Sequence, residues 1–152
     1  MVAPVHHQVV VYASDPHRLA RFWAAAMGYV LEDNTPLIEP LLAGGVAQKS
    51  DTVVIDGRRF WREAVAIRHP DDPVDERTGI GHGRRILFEL QVTDKGDENR
   101  FHLDLNVGRE RIAEETARLI GLGATLLYER VDPPRGVFNR LTDPEGNELC
   151  LQ

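Results

Sequence analysis

A chain of 152 residues, 42% hydrophobic and 28% charged, suits one packed domain. Its formal net charge is −6, and its basic clusters stop at the pairs Arg58-Arg59 and Arg84-Arg85, read as solvated loop charges; a nucleic-acid binder, which needs a basic stripe, is excluded. The single cysteine, Cys150, rules out an internal disulfide framework, no apolar run approaches a membrane span, and Met1 to Pro4 is too short for a signal peptide, so the chain is expected to be cytoplasmic.

Val5 to Ala13 is a valine-rich strand candidate, with Gln8, Val10 and Tyr12 on one face and Val9, Val11 and Ala13 on the other. Ser14 or Asp15 can cap the helix that follows, Pro16 suits its first turn, and Gly28 ends it. Leu19, Phe22, Trp23, Ala26 and Met27 recur at helical spacing, and Phe22 and Trp23 are expected in the core. Tyr29 to Glu32 is a short strand. Asp33 to Arg62 is harder to read: Leu37 to Ala43 has room for one helical turn or two, and the segment is either an insertion that lids the domain or holds an extra strand at Thr52 to Ile55. Glu63 to Arg68 is a strand stopped by His69-Pro70-Asp71-Asp72-Pro73. The glycines of Gly79-Ile80-Gly81-His82-Gly83 precede no helix, so they make no phosphate loop and predict a flexible hairpin connection.

Arg85 to Val92 is a strand with Ile86, Phe88, Leu90 and Val92 on one face and Arg85, Leu87, Glu89 and Gln91 on the other; Thr93 to Asn99 is a charged turn. Arg100 to Val107 alternates strictly. Phe101, Leu103, Leu105 and Val107 predict a buried face, while His102, Asp104 and Asn106 form a face too polar for ordinary core. Arg109 to Leu122 is an amphipathic helix with Ile112, Ala113, Thr116, Leu119 and Ile120 inward, closed by Gly123. Ala124 to Val131 and Gly136 to Leu141 are strands around the turn Asp132-Pro133-Pro134. After the turn chemistry of Asp143-Pro144-Glu145-Gly146-Asn147, the last strand is Glu148 to Leu151, with Glu148 and Cys150 on one face.

Strand, helix and further strands thus occur twice. If helices cover the apolar sheet faces, the opposite faces gather Gln8, Tyr12, Glu89, His102, Asp104, Asn106, Glu148 and Cys150 into a cleft suited to a small molecule. Each residue also has an ordinary structural role open to it. Gln8 can hydrogen-bond at a sheet edge, Glu89 can pair with Arg85 or another arginine, His102 can be a satisfied histidine, and Cys150 a small buried hydrophobe.

In their order and spacing, several segments resemble the vicinal oxygen chelate superfamily, which includes glyoxalase I, bleomycin-resistance proteins and extradiol dioxygenases, and more narrowly its glyoxalase-like domain proteins. They are Ser14-Asp15-Pro16 with Leu19-Ala20-Arg21-Phe22-Trp23, His102-Leu103-Asp104-Leu105, Leu122-Gly123-Ala124-Thr125, and Asp143-Pro144-Glu145-Gly146-Asn147-Glu148-Leu149-Cys150. The resemblance implies an α+β fold in which two βαβββ modules form an open, cup-shaped mixed sheet with helices packed outside. It implies a single domain over residues 1–152, with module one at about 5–92, an insertion at about 33–62, and module two at about 100–152.

The resemblance further implies a divalent metal (Zn, Ni, Mn, Fe or Co) inside the cup, on Gln8, Glu89 and His102, ligand types that suit such ions. The fourth position, normally a glutamate that also serves as base in glyoxalase I, falls at Cys150. A cysteine is a poor base for proton abstraction beside a carbonyl, which leaves Glu148 or Glu89 as the candidate base. Extradiol dioxygenases use two histidines and a glutamate, and Gln8 stands where one histidine is needed. Tyr12, Asp104 and Asn106 are the candidate substrate contacts. Two functions follow as expectations: a metal-dependent lyase or isomerase acting on a small molecule, or a metal-free protein that sequesters an antibiotic-type ligand. A homodimer is implied by the same resemblance.

Overall fold

A computed structural model describes residues 4–91, 101–132, 136–142, 146 and 148–152. The expected turn at Thr93 to Asn99, the prolines of the turn at Asp132 to Pro134, most of Asp143 to Asn147, and the side chains of Phe22 and Ala26 lie outside the described residues. The chain divides into two compact units, Met1–Val9 with Asp97–Gln152, and Val10–Gly96. Strand β1 (His6–Ala13) contributes to both. No described helix is long and apolar enough to cross a membrane.

The unit Val10–Gly96 continues from β1 through α1 (Pro16–Met27), β2 (Val30–Leu31), α2 (Thr35–Ala43), β3 (Thr52–Ile55), β4 (Arg58–Trp61), β5 (Ala64–Arg68) and β6 (Arg85–Leu90). The other unit holds β7 (Phe101–Asn106), α3 (Ile112–Gly121), β8 (Thr125–Asp132), β9 (Gly136–Thr142) and β10 (Glu148–Leu151). Leaving aside α2, β3 and β4, each run is βαβββ. The hydrogen-bonded order is β1-β6-β5-β2 in one and β7-β10-β9-β8 in the other, so the last strand of each module returns beside its first. The fold is α+β, with an eight-stranded mixed sheet and a separate two-stranded one. β10 runs parallel to β7, a pairing that requires a crossover, here α3 followed by β8 and β9.

The first helix forms as its sequence dictates. The Asp15 carboxylate accepts the backbone N–H of Arg18 at 2.9 Å, Pro16 opens the first turn, and Gly28 closes the helix at φ 67°, a left-handed conformation that favours glycine. Trp23 departs from the core position expected of it and is 42% exposed. Between β2 and β5, Leu37 to Ala43 belongs to a full helix, α2, anchored by the fully buried Ile38. The extra strand at Thr52 to Ile55 forms as β3 and pairs with β4 across Asp56-Gly57, whose φ values of 50° and 76° are those of a type I′ turn.

The glycine-containing connection between β5 and β6 is pinned where flexibility was expected. Glu32, 1% exposed, accepts both Nε and an Nη of Arg85 at 2.7 and 2.8 Å and the Gly81 N–H at 2.7 Å. A Cβ on Gly79 (φ 74°) would lie 1.8 Å from the Asp33 carbonyl oxygen, so only glycine fits. Asp72 accepts the Arg84 N–H and both ends of its guanidinium. Arg85 is therefore a buried partner where a solvated loop charge was expected, and Arg59 is tied to Glu39 at 2.7 Å.

In the other unit, Ile112 and Thr116 face inward as predicted and Leu119 packs on the core of Val107, Ile112, Leu141 and Leu151. Ala113 and Ile120 do not; both are exposed. The inward position missed is Glu115, 2% exposed, held by Arg118 and Arg111 at 2.8 and 2.7 Å. The Arg118 hydrogen bond, with the charges of Arg118 and Arg111, keeps this carboxyl below its usual range against the opposing effect of burial. On β7 the expected burial is inverted: Phe101 and Leu103 are 61% and 45% exposed, whereas His102 and Asp104 are 6% and 5%. The core under α3 takes up only Leu105 and Val107, at the far end of the strand.

Glu32→Gln should lower stability by about 3 kcal/mol in urea denaturation, because it breaks a charge pair shielded from water. The Arg84 hydrogen bonds hold the Asp72 carboxyl down at about 2, below its unfolded value. Its stabilisation is therefore complete above about pH 4 and is lost as pH falls toward 2. Arg84→Gln, which keeps the backbone N–H on Asp72, should raise the Asp72 titration, followed by NMR, toward the ordinary carboxylate range.

Candidate functional site

Strand register decides which side chains of the β7 unit meet. Cys150 is the partner of Asp104 on β7 and of Arg140 on β9, whereas Leu149 is the partner of Leu103 and Leu141. Residues directly opposite one another share a face, so Asp104, Cys150 and Arg140 lie on one side and the leucines on the α3 side. β1 adds Gln8 to the polar side, and Gln152 follows the end of β10.

Asp104 is the centre of the group. Its Oδ2 accepts the Gln8 amide at 2.6 Å and the Gln152 amide at 3.0 Å, and its Oδ1 lies 3.2 Å from His102 Nε2. Gln152 also donates to Asn106 Oδ1 at 3.1 Å. A carboxylate only accepts, which fixes both glutamine amides with nitrogen toward it. Cys150 completes the group: one ligand atom each of His102, Asp104 and Cys150 lies within 4.8 Å of the others, and all three residues are buried.

The structure thus assembles Gln8, His102, Asp104, Asn106 and Cys150. Glu148, in the same unit, is ion-paired with the buried Arg140 at 3.2 Å. Glu89 and Tyr12 belong to the other unit, both half-buried, Glu89 on β6 opposite Ala64. Gln152 went unrecognised in the sequence. The signal was the alternation of β10, which carried one step further aligns Gln152 with Glu148 and Cys150.

The sequence matches the family described as the glyoxalase-like domain over residues 8–152. The chain belongs to the glyoxalase-like domain family. The match runs from Gln8 through Gln152 and so takes in every member of the Asp104 group. No curated protein matches by sequence. Among solved structures, methylmalonyl-CoA epimerase from Mycobacterium tuberculosis is 13% identical with a TM-score of 0.53, covering 99% of this chain and 91% of that one. NAD-dependent benzaldehyde dehydrogenase from Legionella pneumophila is 12% identical with a TM-score of 0.53, covering 95% and 96%. A glyoxalase/bleomycin resistance protein/dioxygenase superfamily member from Vibrio splendidus 12B01 is 10% identical with a TM-score of 0.47, covering 98% and 100%. At these identities the likeness is one of fold, which does not fix the chemistry of a glyoxalase-like site.

Asp104→Asn keeps the side-chain shape of this glyoxalase-like protein but removes the charge that draws two amides and an imidazole together. Its expected cost is about 2–3 kcal/mol in urea denaturation. Asn106→Ala, at an exposed position, should stay within about 0.5 kcal/mol of the parent.

Proposed function

We propose that this glyoxalase-like protein acts on a small molecule with the help of a divalent metal held by His102, Asp104 and Cys150. The carrying observation is the convergence of an imidazole, a carboxylate and a thiol within 4.8 Å of one another at buried positions. This donor set fits a borderline divalent cation, zinc foremost, with the thiol bound as thiolate. The Asp104 carboxylate is held for this role by the amides of Gln8 and Gln152 and by His102.

When bound, the metal would supply Lewis-acid polarisation of a substrate oxygen. The chain's own residues have separate tasks. Gln8 and Gln152 orient the Asp104 carboxylate, and Arg140 holds Glu148, the carboxylate proposed as base in this unit, in an ion pair at 3.2 Å. The ligand set implied by the family resemblance, Gln8 and Glu89 with His102, is narrowed here to the residues that meet around Asp104. Lyase or isomerase chemistry in the cytoplasm, as a homodimer, is the corresponding functional proposal.

A second reading, a metal-free binding protein of the bleomycin-resistance kind, is favoured by one observation: the two amides already satisfy Asp104 Oδ2 without an ion. Metal analysis separates the two. Protein purified without chelator should carry close to one zinc or similar ion per chain, and added metal should raise its melting temperature; His102→Gln and Cys150→Ser should each abolish that rise. Absence of metal above background, with no metal-induced shift in the parent protein, sinks the enzyme reading. Stabilisation by an antibiotic-type ligand without metal would then support the second.

A further inference from the structure

The unit Val10–Gly96 contains a cavity of about 120 Å³ bounded by α1, β2 and the β3–β4 hairpin. Its polar lining is His17 and Arg21 from α1 with Asp56 and Arg58 from the hairpin, and its apolar walls include Leu31, Ile55 and Phe60. His17 and Arg21 stand one helical turn apart on the same face of α1. The hairpin is fastened to that face. His17 Nε2 lies 2.9 Å from the Trp61 carbonyl and 3.2 Å from that of Arg62, and its ring meets Phe60 edge-on at 5.8 Å. Carbonyls only accept, so this nitrogen carries the hydrogen. The tight Asp56-Gly57 turn then sets Asp56 and Arg58 at the hairpin tip.

The charges of this cavity are unbalanced. Other arginines of the hairpin are engaged: Arg59 with Glu39 and Thr52, and Arg62 with the carbonyls of Ser50 and Thr52. Arg21 and Arg58 make no ion pair among the described residues, although Arg58 is close enough for its charge to act on Asp33. With Asp56 set against the two guanidiniums, the lining carries one net positive charge, which matches a monoanion better than the roughly doubly charged phosphate group. Guanidinium also pairs geometrically with carboxylate. A slightly larger apolar cavity, of about 150 Å³, admits benzene, so this one suits a ligand of roughly six heavy atoms or fewer.

We propose that this cavity is a second ligand site, which binds a small monocarboxylate with its carboxylate between Arg21 and Arg58 and its apolar stem against Leu31, Ile55 and Phe60. It lies wholly within Val10–Gly96 and does not depend on the Asp104 group. The test is a ¹H–¹⁵N NMR titration of the full chain with isobutyrate, isobutyramide and inorganic phosphate in parallel. Isobutyrate should give saturable shifts at the amides of Arg21 and of Asp56 to Arg58, and the other two probes should not. Arg21→Gln and Arg58→Gln should each weaken isobutyrate binding about tenfold or more. Asp56→Asn, whose side chain tolerates the same backbone conformation, should tighten it by removing a like charge. Asp104→Asn should leave it unchanged. The proposal fails if isobutyrate gives no saturable shift, if the arginine variants bind like the parent, if isobutyramide or phosphate binds as well as isobutyrate, or if Asp104→Asn abolishes the response.

Discussion

Asp104 sits in the middle of a strand with 5% of its surface exposed, and a carboxylate stripped of water in this way costs several kcal/mol unless donors replace the solvent. The donors come from Gln8 on β1, His102 on the same strand, and Gln152 just beyond β10. Each can reach Asp104 only if its strand has the correct register, because a shift of one residue turns every side chain to the opposite face. The carboxylate therefore ties strand pairing to site geometry. The same register that delivers Cys150 beside Asp104 delivers Leu149 and Leu151 to the face on which α3 packs.

Among the described residues, three buried carboxylates organise the structure, and they differ in the partners that hold them. Glu32 is matched by the Arg85 guanidinium and Glu115 by two arginines of its own helical face. These are structural anchors, one for the β5–β6 connection and one for α3. Asp104 is held by two glutamine amides and an imidazole, next to a thiol. A carboxylate beside an imidazole and a thiol offers a donor set suited to a cation, whereas the other two carboxylates are paired with arginine. The cavity between α1 and the β3–β4 hairpin shows the opposite polarity, lined by the guanidiniums of Arg21 and Arg58 and one aspartate, Asp56.

Much of the fold was legible in the sequence because local chemistry and periodicity agreed. Asp15, Pro16 and Gly28 delimit α1 as helix-end preferences require, and the alternation over Phe101 to Asn106 marks β7. Legibility failed where the pattern was two-sided or the partner distant. Arg58 to Trp61 alternates too briefly to announce β4 beside its own turn. Arg85 looked solvated because Glu32, its partner, lies 53 positions earlier. Helical spacing and hydrophobicity predict Trp23 and Ile120 inward, yet hydrophobic character does not prevent exposure. In the site, His102 and Asp104 on β7 and Cys150 on β10 stand out in the sequence as polar or unusual positions on their strand faces, but Gln152 lies one step past the residues read as strand.

The sequence by itself determined the repeated strand–helix–strand order, the helix ends, the alternating faces of β7 and β10, and membership in the glyoxalase-like family, since all of these are carried by local preference or by residue order. Only the tertiary structure decided which face of β7 is buried and which side chains converge on Asp104. Burial depends on where α3 stops covering the sheet, and convergence depends on hydrogen bonds between residues as far apart as Gln8 and Asp104, 96 positions along the chain. Neither is encoded in any window of neighbouring residues. Both follow from strand register, which is set by the sum of pairings across the sheet.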